Sequence, residues 1–299
     1  MRNNNGVSIK RFALLCIFLL LFFGCKKQKD TDTDKEILIM TSFYPVYIST
    51  INITKDILDI KVLNLTEYDT GCIHNYSLTS DNMKDISRTD IFVINGAGME
   101  TFIDKIIKEK SVLKIIDSSK GVKLIEKNNN QYNPHIWVSI ENQIKQIENI
   151  KEGLSLYDPL HKENYKKNAD LYITKLNQLK QEMEEGLKDI KYRNIVTFHE
   201  AFNYFAEEFN FNIVSVIERE PGVEPNAKEM AETIKMIKKY DVKALFAEPQ
   251  YSSGPARVIA KETGLKVYTL DPAVSGPLNK NAYIDIMKNN IKVLKESLN

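Results

Sequence analysis

Four histidines and three cysteines stand in a chain of 299 residues, few enough that their positions carry information. His74 lies in Gly71-Cys72-Ile73-His74-Asn75-Tyr76, His135 in Asn133-Pro134-His135-Ile136-Trp137, and His199 in Thr197-Phe198-His199-Glu200. Asp271 follows the last apolar run, in Leu270-Asp271-Pro272. Taken singly, each histidine reads as a hydrogen-bonded structural residue and Asp271 as a turn cap. Together they read differently. In open parallel α/β sheets, ligands gather beyond the carboxyl ends of strands, and all four residues are expected there. Three neutral imidazole nitrogens and one carboxylate oxygen suit Zn2+, at about 2.0–2.2 Å per bond. A carboxylate-rich set would suit Mn2+ better. Glu200 and Glu248 are candidates for the acceptors that orient such rings. Cys72, two residues before His74, is a possible extra ligand, because a thiolate is a soft zinc donor and alternate side chains of an extended segment face one way. Its plainer reading is a small buried residue. His161, among Lys and Glu, reads as solvated surface.

The elements that must position these residues alternate. Short runs rich in Ile, Val and Leu predict strands at 37–42, 60–65, 91–95 and 113–116, with helices near 46–56, 80–87, 100–109 and 140–156 between and after them. The pattern restarts with strands at 194–198, 212–217, 244–247 and 267–270 and helices near 200–209, 226–240, 254–263 and 281–298. Such alternation argues for parallel βαβ units. Between the halves, Tyr165, Ala169, Tyr172, Leu176, Leu179, Met183 and Leu187 recur every three or four residues, the period of one amphipathic helix. Asp158-Pro159 predicts its start, an acidic N-cap with Pro in the first turn. The expected fold is α/β: two lobes, each with a four-stranded mainly parallel sheet flanked by helices, joined by one long rigid linker helix. The boundaries are an N-terminal lobe at 37–157, the linker helix at 158–190 and a C-terminal lobe at 191–299.

The first 36 residues carry a different signal. Arg2, Lys10 and Arg11 precede the apolar run 12–23, then come Gly24-Cys25 and a polar stretch. A basic start, a short apolar run and a small residue before a cut describe a secretory signal. The run is too short for a span, which needs about 20 residues. The junction resembles a bacterial lipoprotein signal, with 1–24 removed, Cys25 acylated and 25–36 a polar tether. Loss of the leader leaves 38 basic against 40 acidic residues, and Cys72 as the one remaining free thiol. That charge balance gives no basic face for nucleic acid, and one thiol allows no internal disulfide.

The motifs Thr41-Ser42-Phe43-Tyr44-Pro45, Asn95-Gly96-Ala97-Gly98-Met99-Glu100, Asn133-Pro134-His135-Ile136-Trp137, Thr197-Phe198-His199-Glu200-Ala201-Phe202, Ala247-Glu248-Pro249-Gln250-Tyr251 and Leu270-Asp271-Pro272 occur in this order. In this the chain resembles the metal-binding (zinc/manganese) solute-binding lipoproteins of bacterial ABC transporters. The resemblance implies two α/β lobes on one long helix and metal ligands at His74, His135, His199 and Asp271. It implies an ABC permease as membrane partner, a lipid anchor through Cys25 at the extracytoplasmic face of the cell membrane, and a monomer. Histidine at position 199, where manganese members commonly carry Glu, points to zinc as cargo with manganese as the alternative. Two departures stand out. The first ligand lies in Cys72-Ile73-His74-Asn75-Tyr76-Ser77 rather than an acid-Pro-His stretch, and the interval Glu126 to Tyr132 lacks the His-rich loop of many zinc members.

Other classes remain. A zinc hydrolase needs an open coordination position and a base, whereas four protein ligands leave none. The chain has no His-Glu-x-x-His pair and no Gly-x-Ser-x-Gly elbow, so no enzyme is expected. A lipid-tethered adhesin would use the same fold, but no dedicated adhesive surface is legible.

Overall fold

A computed structural model describes residues 36–127, 131–218, 223–250 and 254–299. The expected signal peptide and the acylated Cys25 lie outside the described residues. The first half contains strands β1 (Ile37–Thr41), β2 (Ile60–Asn64), β3 (Ile91–Ile94) and β4 (Lys114–Asp117). Its helices are α1 (Tyr44–Ile53), α2 (Ser80–Arg88), α3 (Ile103–Glu109) and α4 (Ile140–Tyr157). After the long helix α5 (Lys162–Leu187), the second half contains β5 (Asn194–Thr197), α6 (Asn203–Glu208), β6 (Asn212–Val216), α7 (Ala227–Lys239), β7 (Ala244–Ala247), α8 (Gly254–Thr263), β8 (Lys266–Thr269) and α9 (Ala282–Ser297).

Among the described residues the strands form two four-stranded parallel sheets, ordered β2-β1-β3-β4 and β6-β5-β7-β8. The two halves thus share one winding with no shared sequence. Parallel strands lie between helices, so the central ones are apolar throughout: every residue of β3 and β7 is buried. In both sheets the order reverses beside the first strand, which places a crevice at its carboxyl end.

Helix α5 buries Tyr165, Ala169, Tyr172, Leu176, Leu179, Met183 and Leu187, the seven residues of the predicted stripe. Its 26 residues run about 39 Å. They pack on α1 and α4 of the first half and on α9 of the second. One apolar cluster therefore runs from β1 and β3 through α5 to Phe205, Phe246 and Met287. A smaller cluster lies in the second half around Val196, Leu245 and Ile259.

The start of α5 departs from expectation. The α-helix begins at Lys162, after a 3-10 turn at Pro159–His161, and Asp158 caps no backbone amide. Its carboxylate instead accepts from the Tyr165 hydroxyl at 2.6 Å and meets His161 Nδ1 at 2.6 Å. His161 is not solvated: its side chain is 14% exposed, and its Nε2 faces Asp59 at 3.2 Å. A carboxylate three residues back, another from a distant segment and the buried Tyr165 ring offered the imidazole better partners than water.

Further bonds tie the halves. Trp137, fully buried, donates from Nε1 to the Pro272 carbonyl at 2.7 Å, and its own carbonyl accepts from the Tyr283 hydroxyl at 2.8 Å. The Tyr44 hydroxyl reaches the Pro277 carbonyl at 2.9 Å. Trp137→Phe would leave the Pro272 carbonyl without this donor and a void where the larger ring stood. We expect a loss of about 2–4 kcal/mol in urea unfolding; an unchanged midpoint would show that the indole does not couple the halves.

Candidate metal centre

Each of the three predicted imidazoles arrives on a separate turn. His135 precedes the 3-10 turn Ile136–Val138, and His199 follows β5 in extended conformation before the 3-10 turn Glu200–Phe202. Both are 1% exposed, whereas His74, in the long loop after β2, is half-buried. Their ring nitrogens converge. His74 Nε2 lies 3.0 Å from His135 Nε2, and His199 Nε2 lies 3.2 Å from His135 Nε2.

The opposite ring edges are held by acceptors. The Oδ1 of Asn133 accepts from the His135 backbone N–H at 3.0 Å and from Nδ1 at 2.7 Å. An amide oxygen only accepts, so His135 Nδ1 carries the proton and Nε2 presents its lone pair. The Nδ1 of His199 meets Glu248 Oε1 at 2.5 Å, both side chains being 1% exposed. Burial draws the His199 pKa down, but the Glu248 carboxylate and Cys72 together outweigh it and lift the group to about 10. Burial, the His199 charge and Lys127 hold His74 down at about 4, and the same causes with His74 keep His135 well below the ordinary histidine range. At neutral pH two of the three rings are therefore neutral donors, as a metal ligand requires.

The remaining predicted residues divide. Glu248 pairs with His199 as above. The Glu200 carboxylate instead forms an ion pair with Lys127, and its carbonyl accepts from Asn133 Nδ2 at 2.8 Å. Asp271 is clamped through its backbone by Asn290, which accepts from its N–H at 3.0 Å and donates to its C=O at 2.7 Å. Its Oδ1 accepts the Ala273 amide at 2.8 Å, and burial raises its pKa. Cys72 is half-buried, with Sγ 3.5 Å from His199 Nε2. The ligand atoms of Cys72, His74 and His135 all lie within 4.8 Å of one another.

Sequence reasoning did not single out Asn133, whose signal is its spacing two before His135 across a proline. Nor did it find the support behind it. Asn95 Nδ2 donates to the Pro134 carbonyl at 2.9 Å, fixing the turn that carries His135. Glu100, 3% exposed, holds Asn95 and Gly96 by accepting both backbone amides, at 2.8 and 3.0 Å. Gly96 has φ +78°, and a Cβ there would sit 1.9 Å from Asp117 Oδ1, so only glycine closes this turn.

The model of a family described as ZnuA, zinc-uptake complex component A, periplasmic, matches residues 39–297. The chain belongs to this family. It is 30% identical over 313 residues to the high-affinity zinc uptake system protein ZnuA of Bacillus subtilis, covering 96% of both chains. It is 30% identical over 312 residues to the zinc-binding lipoprotein AdcA of Streptococcus pneumoniae, over 97% of this chain and 61% of the relative. The chain thus spans about three fifths of that relative's length. The crystal structure of Zn(II)-bound AdcA from S. pneumoniae superposes with a TM-score of 0.77 at 31% identity, covering 88% of this chain and 58% of that one. The ZnuA-type fold therefore comes with relatives named for zinc binding and zinc uptake.

Burial raises the Glu100 carboxyl from 4.5 to about 7 against the pull of its two amide donors. Between these values the folded chain keeps a proton that the unfolded chain has released. Stability must therefore fall as pH rises through this window. Glu100→Gln removes the titration. Urea midpoints measured from pH 4.5 to 7 should fall more steeply for the parent than for the variant; parallel profiles would refute the assignment.

Proposed function

We propose that the protein is the extracytoplasmic solute-binding component of an ABC transporter, capturing a divalent transition metal, zinc first, between its two lobes and delivering it to a membrane permease. The observation that carries this reading is the convergence of the Nε2 atoms of His74, His135 and His199 within 3.0–3.2 Å steps, while Nδ1 of His135 and of His199 is bound to an acceptor. Rings pinned this way aim their Nε2 atoms into one shared space, which an apolar core does not need. In this reading the three imidazoles are ligands, and the family resemblance offers Asp271 as the candidate for a fourth donor.

The donor set favours zinc over manganese, because nitrogen-rich sites bind zinc more tightly along the divalent series. Neutral rings at His74 and His135 let the ion bind without first displacing protons there. Four protein donors around a cargo ion leave no open position for a substrate water, so the reading is transport and not hydrolysis. Acylation at Cys25 would tether a monomer to the outer face of the cell membrane, with the polar segment 25–36 allowing it to approach the permease. Because α5 is continuous and packs on both halves, ion release is expected to involve local movement of the ligand loops more than a wide hinge.

Purified protein should carry one zinc per chain by elemental analysis. Single changes of His74, His135 and His199 to Ala should each lower zinc affinity by at least ~100-fold, a loss of about 3 kcal/mol; full zinc retention in all three would reject the site. Glu248→Gln keeps an acceptor oxygen but removes the charge behind His199. It should weaken zinc about 10–100-fold without unfolding the chain, as lost outer partners of ligating histidines do. Competition with Mn2+ at buffered free metal should leave zinc bound.

A further inference from the structure

The loop that carries His74 also brings a sulfur to the same point. The Cys72 side chain packs at the edge of the core and is a free thiol. Its Sγ lies 3.5 Å from His199 Nε2 and within 4.8 Å of the ligand atoms of His74 and His135. These spacings can be compared with a tetrahedral zinc ion. Zn–N bonds of about 2.0–2.1 Å and a Zn–S bond of about 2.3 Å give N···N edges near ~3.3 Å and N···S edges near ~3.6 Å. The observed His–His separations of 3.0 and 3.2 Å and the Cys–His separation of 3.5 Å are edges of that size. Asp271, by contrast, already turns Oδ1 to the Ala273 amide at 2.8 Å.

We propose that Cys72 Sγ is a direct ligand of the cargo ion, completing a three-histidine, one-thiolate tetrahedron in which Asp271 stays outside the coordination sphere. This rests on the three imidazoles forming the cargo site, as proposed above. When the metal–sulfur bond forms, the S–H bond breaks and its proton leaves to solvent. The ligand charge matches that of a carboxylate, one negative unit. Its softness does not: sulfur strengthens the hold on Zn2+, Cd2+ and Co2+ and does little for Mn2+. Cys72 would then set selectivity at the position where the chain departs from the acid-Pro-His pattern.

The test uses the full chain titrated with Co2+, whose thiolate complexes absorb strongly in the near ultraviolet by sulfur-to-metal charge transfer. The parent should bind one Co2+ and show this band. Cys72→Ser should still bind one Co2+ through three histidines but lose the band. Its Cd2+ affinity should fall at least tenfold more than its Mn2+ affinity. Asp271→Asn should keep both the band and the stoichiometry. One bound Co2+ in the parent without the band, or a band that survives in Cys72→Ser, overturns sulfur ligation while leaving the histidine site standing. A parent that binds neither Co2+ nor Zn2+ overturns the underlying site itself.

Discussion

Three imidazoles turn their Nε2 atoms into one space, in steps of 3.0 and 3.2 Å, and the rest of the structure serves to keep them there. Each ring could relax by turning its Nε2 toward another donor. Two are prevented by bonds on the far edge: Nδ1 of His135 is fixed to Asn133 Oδ1 and Nδ1 of His199 to Glu248 Oε1. These acceptors are held in turn. Asn133 donates across to the Glu200 carbonyl, and Tyr204 donates to the Asn133 carbonyl at 2.6 Å. A ring held through its second nitrogen has one tautomer and one direction, so the orientational entropy of binding is spent during folding.

The site is therefore only as rigid as the contact between the halves. Trp137 sits two residues after His135 and donates to Pro272, the residue after Asp271. A shift of one half against the other would pull this bond and move both ends of the cluster. The apolar cluster that crosses through α5 opposes such a shift, because sliding would open voids along the seven-residue stripe. The loop of Cys72 and His74 is braced differently, by the buried Ile73 side chain and by Tyr76, whose hydroxyl donates to Asn82 Oδ1 at 2.9 Å. Thr101 reaches its backbone at 3.2 Å through one exposed bond. The turns of His135 and His199 are thus built into the framework, while the half-buried His74 lies on a loop over them.

Much of this was legible before any coordinates. The strands were readable because parallel strands between helices are apolar on both faces. The long helix was readable because its stripe repeats every three or four residues. The histidines were readable because polar residues at strand ends stand out against such runs. What local pattern could not supply was partnership. Asp158 looks like a helix cap, yet its carboxylate goes to Tyr165 and His161, seven and three residues on. His161 looks solvated, yet its partner Asp59 lies over a hundred positions away. Glu200 is adjacent to His199, yet Glu248, on another strand end, holds the ring. Charge and spacing mark candidates; which candidate meets which depends on the tertiary fold.

The protonation pattern of the cluster follows from burial and from the acceptor behind His199. Three neutral rings would set lone pairs against one another, and three charged rings would bury repelling cations. The chain adopts neither. His199 carries a proton, stabilised by Glu248, while His74 and His135 stay neutral because burial and that same charge oppose a second proton. The buried pair of His199 and Glu248 is then neutral as a whole, which removes most of the cost of burying either charge alone. In the proposed site a divalent cation would take the place of the proton, with Glu248 compensating the metal through the imidazole. The carboxylate would thus serve both states at the same nitrogen.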